Sequence, residues 1–291
     1  MLNEKMVSLG SRRSVIREIF EYGKKRKAEI GEENVFDFSL GNPSVPAPAA
    51  VTAALERIIK ETDPVRLHGY TSAQGDMAVR AKIAGSIEKR FGFPANKDLI
   101  YMTCGAAASL TVTLNALVNS GDEIIIPAPF FPEYRVFAEN AGAHVVTVLC
   151  REPDFQLDIK AIESAVNEKT KAIIINSPNN PTGAVFSPDT IKALSDMLVR
   201  KQAEYGTDIY IIADEPYREL SYGAEVPYIP KYYANTAVCY SYSKSLSLPG
   251  ERIGYIFIPE SANNSKKLYA AVCGQGARIC VRTEPYAVHR G

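Results

Sequence analysis

One lysine set among hydroxyls, glycines and an arginine carries the clearest chemistry in this chain: Ser241-Tyr-Ser243-Lys244-Ser-Leu-Ser-Leu-Pro-Gly-Glu-Arg252-Ile-Gly254. The amine of Lys244 can condense with a carbonyl. Ser241 and Ser243 offer short hydrogen bonds, and Arg252 offers a forked, permanently charged donor to a phosphate. The grouping suits a phosphate-bearing aldehyde, and pyridoxal 5'-phosphate has both groups. Segments rich in Ser, Gly and Lys are also ordinary surface loops, so the reading depends on what accompanies this one.

Two further polar segments, Asn179-Asn180-Pro181-Thr182-Gly183 and Ala213-Asp214-Glu215-Pro216-Tyr217, each follow an apolar, β-branched run (residues 172–176 and 209–213) and so sit where strands end. In α/β sheets ligands collect outside the carboxyl ends of strands, so three such clusters can converge on one crevice. Upstream, Thr103-Cys104-Gly105-Ala106-Ala107-Ala108-Ser109 follows the run 99–102 and precedes a helical pattern through Leu110, Leu114 and Leu117. A helix start presents free N–H groups and a positive dipole end. Gly105, Ala106 and Ala107 can therefore bind phosphate through backbone amides although they have no polar side chain. Phe130-Phe131 follows a further strand and loop, and one ring of the pair could lie flat on an aromatic ligand.

Four separated motifs in this order resemble the class I and II aminotransferases among the fold type I pyridoxal-phosphate enzymes, over roughly residues 36–273. The resemblance implies that Lys244 carries the cofactor as a Schiff base and later moves a proton. It implies that Asp214 holds a proton on the pyridine nitrogen, which makes the ring an electron sink, and that Tyr217 and Asn180 bond the ring's phenolic oxygen. It favours Phe131 as the ring platform and likens Gly41, in Gly41-Asn42-Pro43, to the segment that approaches the substrate carboxylate together with Asn180. Tyr70, in His68-Gly69-Tyr70, resembles a tyrosine that reaches a partner's phosphate across a homodimer interface. The implied reaction transfers an amino group from an L-amino acid to a 2-oxo acid, with aspartate as the donor suggested by family frequency. A β-eliminating lyase, and a cofactor-binding body without turnover, use the same constellation.

The spacing Tyr240 to Lys244 also fits the Y-x-x-x-K pattern of short-chain dehydrogenases. Those enzymes need a glycine-rich dinucleotide turn after the first strand, and the N-terminal part of this chain has no G-x-G-x-x-G. The 291 residues are 46% hydrophobic and carry 33 basic and 33 acidic side chains, so no global field argues for nucleic acid or an anionic membrane. The basic run 24–27 falls in an amphipathic pattern and reads as a solvated helix face. Five scattered cysteines without a C-x-x-C pair, and three histidines, argue against a disulfide framework and a zinc site. With no signal-peptide core at residues 1–10 and no spanning stretch, the expected location is the cytoplasm.

Apolar runs at 99–102, 123–126, 144–148, 172–176, 209–213, 237–240 and 253–258 alternate with helical stretches such as 191–200. That pattern predicts an α/β fold: a mostly parallel sheet between two helix layers, the three-layer large domain of fold type I. The expected organisation is an N-terminal arm and small-lobe segment at 1–45, a cofactor-binding large domain at 46–274, and a tail at 275–291. After Gly274 the family pattern breaks, and much of a second lobe, with the arginine that grips the substrate carboxylate, is expected to be missing. Codons compatible with the tail, read in the next frame, allow a sequence that resembles the family's continuation. The expectation there is a frameshift near Gly274.

Overall fold

Alternation of side chains along each strand decides how this chain layers. A computed structural model describes residues 2, 4–11, 15–39 and 41–279. The chain divides into two compact units, Met1–Val45 and Pro46–Gly291. The first holds α1 (Glu4–Ser11) and α2 (Val15–Ile30), the latter containing the basic run.

The second unit opens with α3 (Ala49–Glu61), α4 (Pro64–His68) and α5 (Met77–Phe91). It continues through β1 (Ile100–Thr103), α6 (Ala106–Leu117), β2 (Glu123–Ala128), α7 (Glu133–Asn140), β3 (His144–Leu149), α8 (Ile159–Ala165) and β4 (Thr170–Asn176). It closes with α9 (Pro188–Tyr205), β5 (Tyr210–Asp214), β6 (Thr236–Ser241), α10 (Tyr242–Ser245), β7 (Gly254–Phe257) and α11 (Ser265–Ile279). All seven apolar runs become strands of one sheet, in the order β1-β7-β6-β5-β4-β2-β3, with β7 running antiparallel to β1 and β6 and the other pairs parallel.

Ile125, Ile173, Ile175, Ile211, Ala213 and Val238 face one way and pack with Val79 and Ile83 of α5, Ile162 of α8 and Leu194 and Met197 of α9. Their alternates Ile124, Ile126, Ile174, Ile212 and Cys239 face the other way, against Leu110 and Leu114 of α6, Ala138 of α7 and Val272 of α11. Two buried faces require two helix layers, which is the three-layer arrangement. The helix ends are specified locally. Asp76 caps α5 by accepting from Ala78 N and Val79 N, and Ser187 caps α9 ahead of Pro188.

Parallel pairing brings the carboxyl ends of β4, β5 and β6 to one edge, and β1, antiparallel only to β7, ends there too. Counting by twos from the second face puts Thr103, Asn176, Asp214 and Ser241 on the α6–α7 side. Each is the last residue of its strand. The expected tail begins inside α11, whose last residues are 275–279, and its remainder, 280–291, lies outside the described residues.

Candidate active site

A cavity of about 160 Å³ opens at that strand edge. β5 delivers Asp214 and β6 delivers Ser241, while the turn into α10 brings Ser243 and Lys244. The start of α6 contributes Ala106 and Ala107, the loop after β2 contributes Phe131, and the loops after β4 and β5 contribute Asn180 and Tyr217. Arg252, on the approach to β7, completes the wall. Ten of the residues singled out in the sequence thus line one space, although they span residues 106–252.

The approach to α6 is built on backbone. Gly105, with φ +87°, turns the chain from β1 into α6, and a Cβ there would stand 2.8 Å from an Arg252 guanidinium nitrogen. Only glycine fits both the left-handed turn and that approach. Arg252 Nη2 donates to Cys104 O at 3.1 Å and Nη1 to Pro249 O at 3.0 Å, which fixes the guanidinium beside the α6 start. Ser241 and Ser243 pair through their hydroxyls at 2.7 Å, and Ser243 N donates to Ser241 Oγ at 3.1 Å. Free helix-start amides, two hydroxyls and a fork of N–H donors make an anion site.

Asp214, also lining the cavity, is 4% exposed. Its Oδ2 accepts from the Tyr134 hydroxyl at 2.5 Å, while its Oδ1 is buried without a hydrogen-bond partner. Burial pushes the carboxyl up to about 7, against the lowering hydrogen bond from Tyr134 and with a further raising contribution from Glu215. A buried, orphaned carboxylate oxygen is costly unless something donates to it, and a protonated ring nitrogen is such a donor. Asn176 Nδ2 donates to the Asp214 carbonyl at 2.9 Å, and Asn176 Oδ1 accepts from Asn180 N at 2.7 Å. Asn180 Nδ2 in turn donates to the Tyr217 hydroxyl at 3.3 Å. Burial and the neighbouring Asp214 push the Tyr217 phenol up, while burial alone pulls the Lys244 amine down. The residues present therefore fit a phosphate-bearing pyridine aldehyde: donors for an anion, an acceptor for a ring N–H, and an amine of lowered basicity all line the same cavity.

Beyond β5 the loop is held by a buried ion pair. Arg218 donates to both Glu215 oxygens, at 2.7 and 2.5 Å, and to the carbonyls of Val226 and Pro227. Its guanidinium lies 5.1 Å from the Phe91 ring and 5.4 Å from that of Tyr228.

Three residues named in the sequence are not among those lining this cavity, and one of them is Gly105, whose place is the turn into α6. Tyr70 is 93% exposed and follows α4, and Gly41 belongs to the first unit. Three lining residues were not assigned to the site from the sequence: Leu110, Tyr134 and Pro216. Leu110 lies one helical turn beyond Ala106, so helical spacing could have found it. Pro216 sits between two residues already named. Nothing local marks Tyr134, whose partner is 80 residues away.

The family profile for aminotransferase class I and II matches residues 33–282. The chain is 30% identical over 270 residues to the aspartate aminotransferase of Pyrococcus horikoshii, covering 91% of this chain and 65% of that protein. It is 28% identical over 256 residues to a probable aspartate aminotransferase of Methanocaldococcus jannaschii, covering 88% and 63%. A crystal structure of an amino transferase from Eubacterium rectale superposes with a TM-score of 0.95 at 54% identity, covering 99% of this chain and 73% of that one. The chain thus spans a little under two thirds of the curated relatives it matches. With its three-layer sheet and the lysine, aspartate and helix start gathered at one strand edge, the chain belongs to the class I and II aminotransferase family.

Proposed function

We propose that this chain carries the cofactor-binding body of a pyridoxal-phosphate-dependent aminotransferase, which moves an amino group from an L-amino acid to a 2-oxo acid. The observation that carries the reading is the shared cavity: Lys244, the half-orphaned Asp214 and the start of α6 all line it. When bound, pyridoxal phosphate supplies an aldehyde for Lys244 and a ring that accepts electrons. The amides of Ala106 and Ala107, the Ser241 and Ser243 hydroxyls and the Arg252 fork hold the phosphate. Asp214 Oδ1 holds a proton at the ring nitrogen, and Tyr217 and Asn180 bond the phenolic oxygen. Phe131, which lines the same cavity, would flank the ring. Lys244 Nζ would hold the cofactor's aldehyde carbon covalently and would serve as the general base when free. Burial lowers its basicity, which suits a base that must be neutral to work.

Relatives named as aspartate aminotransferases support L-aspartate as the first donor to test. Tyr70 is assigned to the neighbouring site of a homodimer on resemblance and on its exposure, and Gly41 to the substrate side on resemblance alone. No described helix is long and apolar enough to cross a membrane, and we place the protein in the cytoplasm.

The test is the visible spectrum of the purified chain with pyridoxal phosphate, beside Lys244→Ala, before and after amino acids are added. A band that needs Lys244 and is lost with an amino donor supports transamination. A band unmoved by amino acids points to cofactor binding without turnover, and ammonia release from a β-substituted donor points to elimination. No Lys244-dependent band overturns the reading.

A further inference from the structure

The Asp214 carboxylate has two oxygens with different fates, and one side chain decides which is which. Tyr134 stands on α7, three residues beyond Phe131, and is 2% exposed. Its hydroxyl donates to Asp214 Oδ2 at 2.5 Å and leaves Oδ1 buried without a partner. The tyrosine ring is itself held on two sides: the Phe131 ring meets it edge-on at 5.6 Å and 80°, and the Phe130 ring lies near-parallel at 6.4 Å and 20°. One residue therefore joins the aromatic platform to the carboxylate, and all three side chains, Phe131, Tyr134 and Asp214, reach the same cavity.

We infer that Tyr134 is a positioning residue for the site, which engages Oδ2 so that the carboxylate plane is fixed and Oδ1 is reserved for a cationic ring N–H. This rests on the proposed cofactor reading. The phenol is suited to the task because burial and the adjacent Asp214 push its own pKa far up, so it stays a donor at any working pH. The other groups facing Asp214 do not compete for Oδ2. Asn176 Nδ2 reaches the backbone carbonyl, and Glu215 is engaged by Arg218. Cys239, opposite Asp214 on β6, lies within hydrogen-bond reach of Thr113 with its thiol pushed up by burial, while Tyr217 accepts from Asn180. Removing the phenol leaves Oδ2 bare and the carboxyl harder to ionise, since a hydrogen bond to the charged form favours that form.

The test compares two ligands on the whole chain: pyridoxal phosphate and its analogue with a C–H in place of the ring nitrogen. Tyr134→Phe removes one oxygen and no carbon. It is expected to weaken pyridoxal phosphate binding about tenfold and to leave the analogue's affinity within about twofold. Tyr134→His, which returns an N–H donor, is expected to restore part of the discrimination. If the Phe variant does not fold, the His variant alone decides: discrimination kept supports the role, and discrimination lost overturns it. An independent readout needs no ligand. Carboxyl-carbon NMR of the ligand-free protein, assigned with Asp214→Asn, is expected to show the Asp214 midpoint about one pH unit higher in Tyr134→Phe. Equal weakening of both ligands, or an unmoved midpoint, overturns the inference. A wild-type chain that forms no Lys244-dependent band would instead fail the cofactor reading, while the carboxyl titration would still report whether Tyr134 tunes Asp214.

Discussion

Asp214 should make the ligand-free protein lose stability as pH rises, and Asp214→Asn should abolish that loss. The carboxyl is fully buried, and burial lifts it from the ordinary 3.8 to about 7. A carboxyl whose folded-state pKa is raised binds its proton more tightly in the folded chain than in the unfolded one. Its contribution is therefore fully present below pH 4, falls between pH 4 and 7, and is flat above. At 1.36 kcal/mol per pKa unit the full penalty is about 4 kcal/mol, of which roughly 2.5 kcal/mol falls between pH 5 and pH 8. Tyr134, Tyr217 and Cys239 are all pushed upward by burial and stay neutral across that window. The assay is urea unfolding of cofactor-free wild type and Asp214→Asn at each half pH unit from 5 to 8. The quantity read is the difference in unfolding free energy, in which other titrating groups cancel. The stability of wild type relative to Asp214→Asn should fall steadily by about that amount. A difference flat to within about 0.5 kcal/mol, or one that rises with pH, would refute the reasoning, because it would mean the buried carboxylate finds compensation that these contacts do not supply.

Other perturbations separate the parts of the site. Arg252→Lys should weaken pyridoxal phosphate about tenfold but leave pyridoxal, which lacks the phosphate, unaffected in a fluorescence titration, because an ammonium cannot reproduce the forked donor. Arg218→Met should cost about 3–5 kcal/mol in urea unfolding by leaving Glu215 buried and unpaired, and adding Glu215→Leu should recover most of it. Gly254→Ala should destabilise the chain by about 1–3 kcal/mol, since its Cβ would collide with the Tyr240 carbonyl and stand 2.9 Å from the Gly105 backbone. The lowered basicity of Lys244 predicts that pyridoxal phosphate with borohydride labels it ahead of the exposed lysines at pH 8, as peptide mapping would read.

The strands and the residues at their ends were legible because the inner strands are buried on both faces and appear as near-continuous apolar runs, while β3 at the sheet edge, half exposed, still shows Val145, Val146 and Val148. Polar residues closing such a run, as Asp214 closes β5 and Ser241 closes β6, can only lie at the sheet's edge. Turn and helix-start chemistry is equally local, so Gly105 and the amides of Ala106 and Ala107 could be named from their neighbours. The strand order was not legible, nor was the reversal of β7, because pairing partners are chosen by contacts between distant segments. The same limit hid the Arg218–Glu215 clamp beside the stacked rings of Phe91 and Tyr228, whose members lie on α5 and in the chain between β5 and β6.

What the sequence by itself determined is the chemical inventory: an amine, a carboxylate, an arginine fork and a helix start, each tied to a strand end by hydrophobic periodicity. Tertiary structure alone decided their electrical character. From the sequence Asp214 is a carboxylate at the end of an apolar strand, and only packing desolvates it, gives one oxygen to Tyr134 of α7 and leaves the other bare. Desolvation depends on every atom that displaces water around a group, and those atoms come from segments far apart along the chain.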